Sequence, residues 1–326
     1  MARPLRIQYP GAVYHVSHYG YKRQNIFQND SDYLEFLEIL AQTISSYDII
    51  IHSYVLFDNQ FHLLLETPLG NLSESLRYLN ITYTACFNRL HHRHGKLLHG
   101  RFKSLLINKS ANLARLSRVI HLLPLQLKRS KDRSVSTSHS YIFQHAWSSL
   151  QGYLETDKRQ FFVVYGDVLK VFGGDTAQGR EAYKTQIVQD TINGFSVQDK
   201  ITDQSIFGDD IFVSWVRNRY LQGSEDKAVL ARGRVHHLRP SAEILRGVAE
   251  ETGCQQDDLL HQANLYRSLA MDMLYRFSGM KNAEIGDLMG IDFSTVSQAR
   301  KRLREKAATD QDIRALRIRI ERRFQS

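Results

Sequence analysis

The sequence predicts an α+β fold followed by an all-α region. Three observations carry that prediction. Strand and helix signals alternate over residues 1–127, helices and turns run through 128–225, and residues 226–326 become almost wholly helical and more basic. The opening order of strand, helix, strand, strand, helix suggests an antiparallel sheet covered by helices on one face.

The elements follow in chain order. "AVYHVSHYG" alternates Val13, His15 and Ser17 against Tyr14, Val16 and His18, a strand closed by Gly20. "DSDYLEFLEILAQTISSY" carries Tyr33, Phe36, Leu37, Leu40 and Ile44 at helical spacing behind an N-cap at Asp30 or Ser31. "DIIIHSYVLF" and "QFHLLLETP" read as two strands joined by Asp58 and Asn59. A second helix places Leu72, Leu76, Leu79, Tyr83 and Phe87 on one stripe. The segment "NRLHHRHGKLLHGRFKSLLI" then groups Arg89, Arg93, Lys96, Arg101 and Lys103 around two glycines, the pattern of a phosphate-contacting ribbon or of a solvated loop and edge strand. Its histidines, His91, His92, His94 and His99, lack metal-binding spacing. "ANLARLSRVIHLL" buries Leu113, Leu116, Ile120 and Leu123, and Pro124 is expected to stop it. "KRSKDRSVSTSHS" reads as a serine-rich loop, and turns fall at Gly173-Gly174 and Asn193-Gly194.

Composition bounds the function. A hydrophobic fraction of 42% with 24% charged residues belongs to a globular chain, and no apolar run reaches the length of a membrane span. The N-terminus lacks the apolar core of a signal peptide, so a cytoplasmic protein with no membrane partner is expected. Cys86 and Cys254 lie too far apart for a metal pair and are expected in the core. A net charge of +9 favours a polyanionic partner.

The most specific local pattern is "NAEIGDLMGIDFSTVSQARKRLREK". Ile285, Leu288 and Met289 mark the inner face of one short helix, Gly290 turns the chain, and Val296, Ala299 and Leu303 mark the inner face of the next. That is a helix-turn-helix pattern. Its second helix, capped by Asp292 or Ser294, presents Ser294, Thr295, Ser297, Gln298, Arg300 and Lys301 outward, short polar residues for base edges and cations for phosphates.

"VLFDNQFHLLLE" places Gln60 and His62 on one strand face, where two polar side chains form a metal site, the remains of one, or an ordinary strand. Together with "GAVYHVSHYGYKRQNIFQND", "GRFKSLLI", "LSRVIHLLPL" and "AWSSLQGYL", this stretch resembles the single-tyrosine HUH transposases, in particular the REP-associated tyrosine transposases of bacteria. The C-terminal helix-turn-helix is similar to the DNA-binding domain of the replication initiator DnaA. The resemblance implies a ferredoxin-like domain over 1–127, usually dimeric, that grips a DNA hairpin or repeat element and cuts single-stranded DNA beside it. It implies a helical connection over 128–225 and a DnaA-like domain over 226–326 that binds duplex DNA, in a nucleoid-associated protein. The family holds a divalent ion with two histidines around one hydrophobic residue and attacks the phosphodiester with a tyrosine.

This chain departs from that pattern at both points. The first histidine falls at Gln60, His62 is retained, and the tyrosine position falls at Val119, with Leu123 where the family usually has asparagine. No cofactor is therefore expected, Mg²⁺ or Mn²⁺ belonging only to an active alternative in which Tyr78, Tyr83 or Tyr141 replaces the nucleophile. The leading expectation is a DNA-binding protein of transposase ancestry that acts by occupancy, as a regulator or accessory subunit.

Overall fold

The computed structural model describes residues 6–127, 141–193, 201–202, 205–221, 239–262 and 264–325. The serine-rich stretch 128–140 and Gly194 lie outside the described residues. The chain divides into two compact units, Met1–Gly233 and Arg234–Ser326. No described helix is long and apolar enough to cross a membrane.

In the first unit, β1 (Ala12–Tyr19), α1 (Asp30–Tyr47), β2 (Ile50–Phe57), β3 (Gln60–Thr67), α2 (Leu72–Leu90), β4 (Lys103–Ile107) and α3 (Lys109–Leu127) appear in that order. The short helices α4 (Leu150–Leu154) and α5 (Gly166–Leu169) follow, then α6 (Ala177–Asn193), β5 (Ile201–Thr202), β6 (Ile206–Phe207) and α7 (Asp210–Val216). The sheet order is β2-β3-β1-β4-β6-β5. The first four strands are antiparallel neighbours, as in a βαββαβ chain whose two βαβ units are each split by an inserted strand. β4 pairs on its other side with β6, in parallel, so the strand after the basic segment is internal rather than an edge and the sheet is not purely antiparallel.

Alternation along β3 sorts the two faces. Phe61, Leu63 and Leu65 point toward α1 and α2, with the Phe36 ring 4.9 Å from Phe61 and Tyr83 5.1 Å from Phe36. Ser53, opposite Leu64 in the register, points the other way and meets Ser117 of α3 at 2.7 Å between hydroxyls. Helices therefore cover both faces, where one was expected. The reason is that Val55 and Leu64 make the second face apolar too, and α3 buries its Leu113, Leu116 and Ile120 stripe there.

Local chemistry corrects three further expectations. The N-cap of α1 is Asn29, whose side chain accepts from Asp32 N; Asp32 is buried, accepts from Gln28 N at 2.8 Å and pairs with His91 Nε2 at 2.7 Å, locking the start of α1 to the end of α2. The α3 helix passes through Pro124 to Leu127, since proline's fixed φ suits a helix and the burial of Ile120 and Leu122 offsets one lost hydrogen bond. Cys86 and Cys254 are half-buried instead of lying in the core.

Residues after 141 share the hydrophobic core of the sheet through Ile142, Leu150, Tyr153, Val168 and Tyr183. A buried polar chain fastens them. Ser117 and His121 Nδ1 each lie 2.8 Å from Tyr183 Oη, His121 Nε2 lies 2.9 Å from Ser149 Oγ, and Ser149 Oγ accepts from Tyr54 N at 2.9 Å. Arg118 adds a 2.6 Å ion pair to Asp190 of α6.

In the second unit, α8 (Ser241–Thr252), α9 (Gln256–His261), α10 (Leu265–Met273), α11 (Asn282–Met289), α12 (Phe293–Thr309) and α13 (Gln311–Gln325) enclose Ile244, Val248, Leu269, Ile285, Val296 and Ile320. The turn between α11 and α12 needs two glycines. Gly290 adopts φ +66°, and a Cβ on Gly286 would stand 2.5 Å from Ile291 O.

Burial holds the His121 imidazole down to about 3. The unfolded chain takes up this proton near its ordinary value of about 6.5 and the folded chain does not, so the contribution is full above about pH 6.5 and is lost as pH falls toward 3. Urea titrations should show His121→Gln lowering stability at pH 7 by about 1–3 kcal/mol and making the decline below pH 6.5 shallower.

Candidate nucleic-acid interface

Gln60 and His62 lie on the α3 side of the sheet. His62 is opposite Ser17 and Gln60 opposite Tyr19. His62 Nδ1 is 3.0 Å from His15 Nε2, the two rings stack at 5.3 Å, and the edge of Phe57 closes a third side at 6.0 Å. Burial, and then His15, holds the His62 imidazole well below its ordinary value. Its Nε2 is buried without a hydrogen-bond partner, and Val119 is buried in the core.

Mg²⁺ and Mn²⁺ prefer oxygen ligands, whereas His62 offers a nitrogen. One imidazole nitrogen remains unused at His62, and among the described residues no carboxylate or further histidine groups with it as ligands would. The described residues that do group with ligand spacing are His52, Glu66 and Asp167, on the same side of the sheet. There Lys109 Nζ lies 2.6 Å from Glu66 and 3.4 Å from Asp167, so an ammonium already supplies the cation. Burial raises the Glu66 carboxyl, but hydrogen bonds from His52 and Lys109 outweigh it and leave a net lowering.

The tyrosines named as substitutes differ in setting. Tyr83 donates to Ile26 O at 2.6 Å, and burial pushes its phenol well above the ordinary value. Tyr78 packs on Tyr47 at 5.4 Å. Tyr141 ends a row of rings, 6.5 Å from His145, which is 5.5 Å from Phe57.

The basic segment splits in its use of cations. Arg89, Lys96, Arg101 and Lys103 are exposed, Lys103 standing 5.5 Å over the Tyr19 ring. Arg93 turns inward, donating to Gln24 Oε1 at 2.9 Å and lying over Phe87. Two cations missed in the sequence lie beside this set, Arg77 exposed and Arg6 half-buried. Arg77 projects from the polar side of α2, and Arg6 stacks on Phe102 at 3.5 Å with its guanidinium lowered to about 10 by burial and by Arg101. Arg77 was findable as the polar complement of the Leu72, Leu76, Leu79 stripe, whereas Arg6 precedes any periodic element.

In the second unit, α11 and α12 form the helix-turn-helix hairpin, with Ile285, Met289, Val296 and Leu303 buried. Ser294, Thr295, Ser297, Gln298 and Lys301 are exposed along α12, and Arg302 and the 63% exposed Phe293 extend that surface. Asp292 is the N-cap by backbone position, with no side-chain cap bond.

Arg300 is corrected: it is 4% exposed and faces inward. Its Nε lies 3.2 Å from Asp272 of α10, its Nη1 3.0 Å from Asn282, and its guanidinium 3.5 Å from the Tyr275 ring centroid. Asp272 is fully buried and also draws Arg317 to 3.4 Å. A buried carboxylate must be paired, and Arg300 is the α12 cation on the Val296–Leu303 side that reaches it.

Among solved structures, the chain is similar to a REP-associated tyrosine transposase bound to a REP hairpin. The identity is 13% and the TM-score 0.39, over 52% of this chain and 93% of that one. This is a distant likeness. No family model matches the chain, and no curated protein does.

The split between neighbouring cations is measurable. Arg300→Met should destabilise the second unit by about 3 kcal/mol, the low end for a broken buried pair because Arg317 stays within reach. Lys301→Met should change it by less than about 0.5 kcal/mol. Hydrogen exchange of the α10 amides in the full chain reads both.

Proposed function

We propose that the chain is a DNA-binding protein of transposase ancestry whose first unit, a ferredoxin-like transposase domain, has lost strand cleavage and whose second unit reads duplex DNA. It acts by occupying its DNA, as a regulator or accessory subunit. The observation that carries this reading is the α12 surface. Short polar side chains at Ser294, Thr295, Ser297 and Gln298 stand at the start of a helix, ahead of the exposed Lys301 and Arg302, and α11 with a packed core holds that helix in place. An α-helix with this distribution suits a major groove, early residues on base edges and later ones on phosphates. The exposed Arg77, Lys96, Arg101 and Lys103 support a second contact, with a hairpin or repeat element, in the first unit.

Loss of cleavage is supported by valine at the nucleophile position, glutamine at the first histidine position and engagement of His62 Nδ1 by His15. A rival reading, an enzyme with a relocated nucleophile, is favoured by one observation: Tyr141 lies at the end of the ring row through His145 and Phe57 toward His62.

Selection of duplexes from a random pool tests the DNA reading. Gln298→Ala should relax preference at one base position, at a cost of about 1–3 kcal/mol there. Lys301→Ala should weaken all sequences alike and lower the salt slope by about one. Identical behaviour of the two variants would count against groove reading.

Incubation with single-stranded hairpin DNA and Mg²⁺ or Mn²⁺, followed by denaturing electrophoresis and mass spectrometry, should give no covalent adduct. A metal-dependent phosphotyrosine adduct, at Tyr141 or elsewhere, would establish the enzyme reading instead.

A further inference from the structure

A pocket of about 510 Å³ opens between α2 and the segment 96–102 of the first unit, within the roughly 300–1,000 Å³ of sites that take a small organic group. Its lining combines two chemistries. Ile81, Leu97, Leu98 and Phe102 supply apolar surface, and Ile81 is 57% exposed although it lies on a folded helix. Arg6, Arg77, Lys96 and Arg101 supply four cations, and no carboxylate is among the described residues that line the pocket.

Like charges gather here without a carboxylate among the described lining residues. Arg6 is partly buried over the Phe102 ring and lowered to about 10 by that burial and by Arg101, with no anion to restore it. No ion pair neutralises Arg77, Lys96 or Arg101 among the described residues. A group that fits has a flat apolar face and carries negative charge beside it. An unstacked nucleotide has both, its base for the apolar wall and the Arg6–Phe102 stack, and its phosphates for Arg77, Lys96 and Arg101.

We infer that this pocket takes one unstacked nucleotide of a single-stranded segment of the bound DNA. The inference rests on the DNA-binding reading above and adds a base-dependent contact to the first unit. Beside the apolar wall, His18, Ser73, Asn80 and Thr84 also line the pocket and give it hydrogen-bonding groups.

The test compares, by fluorescence anisotropy with the full chain, a twelve-nucleotide deoxythymidine strand and a strand of the same length and backbone without bases. The wild-type protein should prefer the strand with bases by about ten-fold, the scale of one base stacked on a protein. Thr84→Leu with Ala85→Leu adds aliphatic bulk at the pocket wall on α2 and changes no charge. It should bring the two strands to near parity while leaving the baseless strand's affinity unchanged. Arg101→Ala should weaken both strands and lower the salt slope by about one.

A preference that survives the double variant overturns the pocket, as does wild-type binding with no preference, and in both cases DNA binding itself stands. If neither strand binds, the pocket falls, while duplex reading by the second unit stands or falls on the selection experiment. Deoxythymidine monophosphate is the last arm: competition only at millimolar concentration is expected, whereas displacement of the strand at micromolar concentration would assign the pocket to a free nucleotide and overturn the strand assignment.

Discussion

The register of β1 against β3 is the constraint on which the first unit depends. With Ser17 opposite His62, the odd residues of β3 face α1 and α2, and the even ones face α3. A slip of one residue would turn Phe61, Leu63 and Leu65 to the other face and bring Glu66 and His62 beneath α1, where the Phe36 cluster has no partner for either. The same register brings His15 beside His62. His62 is thereby half of a two-imidazole contact made with the adjacent strand.

The second unit rests on a different device. Asp272, with no exposure, gathers Arg300 from α12 and Arg317 from α13 onto α10, while Arg317 and Arg276 also hold Glu321. Removing charges from water is costly, so such a knot specifies one arrangement of helices more than it adds to stability. Its use here is positional. The rotation of α12 about its own axis is fixed by Val296, Arg300 and Leu303, and this leaves Gln298 and Lys301 to face outward.

Much of this was legible because local patterns and tertiary packing agree. The first four strands, the long helices of residues 1–127 and the two helix-turn-helix helices follow from alternation, helical stripes and turn residues, whereas β5 and β6 fall in a stretch read as helical. The remainder depended on partners distant in sequence. Arg300 sits four residues after Val296 and three before Leu303, a buried stripe read in the sequence, but its charge hid that position because Asp272 carries no local mark. Asn29 displaced Asp30 and Ser31 as the cap because Asp32 is committed to His91. Both faces of the sheet gained helices because residues after 141 seal α3 onto it, and their weak patterns gave no sign of a partner. In the candidate site, the exposed cations of the basic segment were visible as composition, whereas the pocket wall joins Arg6, Arg77 and Ile81 of α2 and the segment 96–102, which are far apart in the chain, and has no linear signature.

The parallel pairing of β4 with β6 joins Leu106 to Ile206, a hundred positions further along the chain. During synthesis the first four strands and α3 emerge long before that partner, so β4 spends an interval as an open edge whose backbone donors and acceptors are available to any extended segment nearby. Closing so large a loop is slow more than it is thermodynamically severe, because its entropy grows only with the logarithm of its length. Lys103 lies at the exposed start of this strand and disfavours stacking with a second copy while the edge is bare. Completion of the sheet is thereby a late event in the life of the nascent chain, and premature termination before residue 206 would leave a stable-looking β-sheet with an adhesive margin.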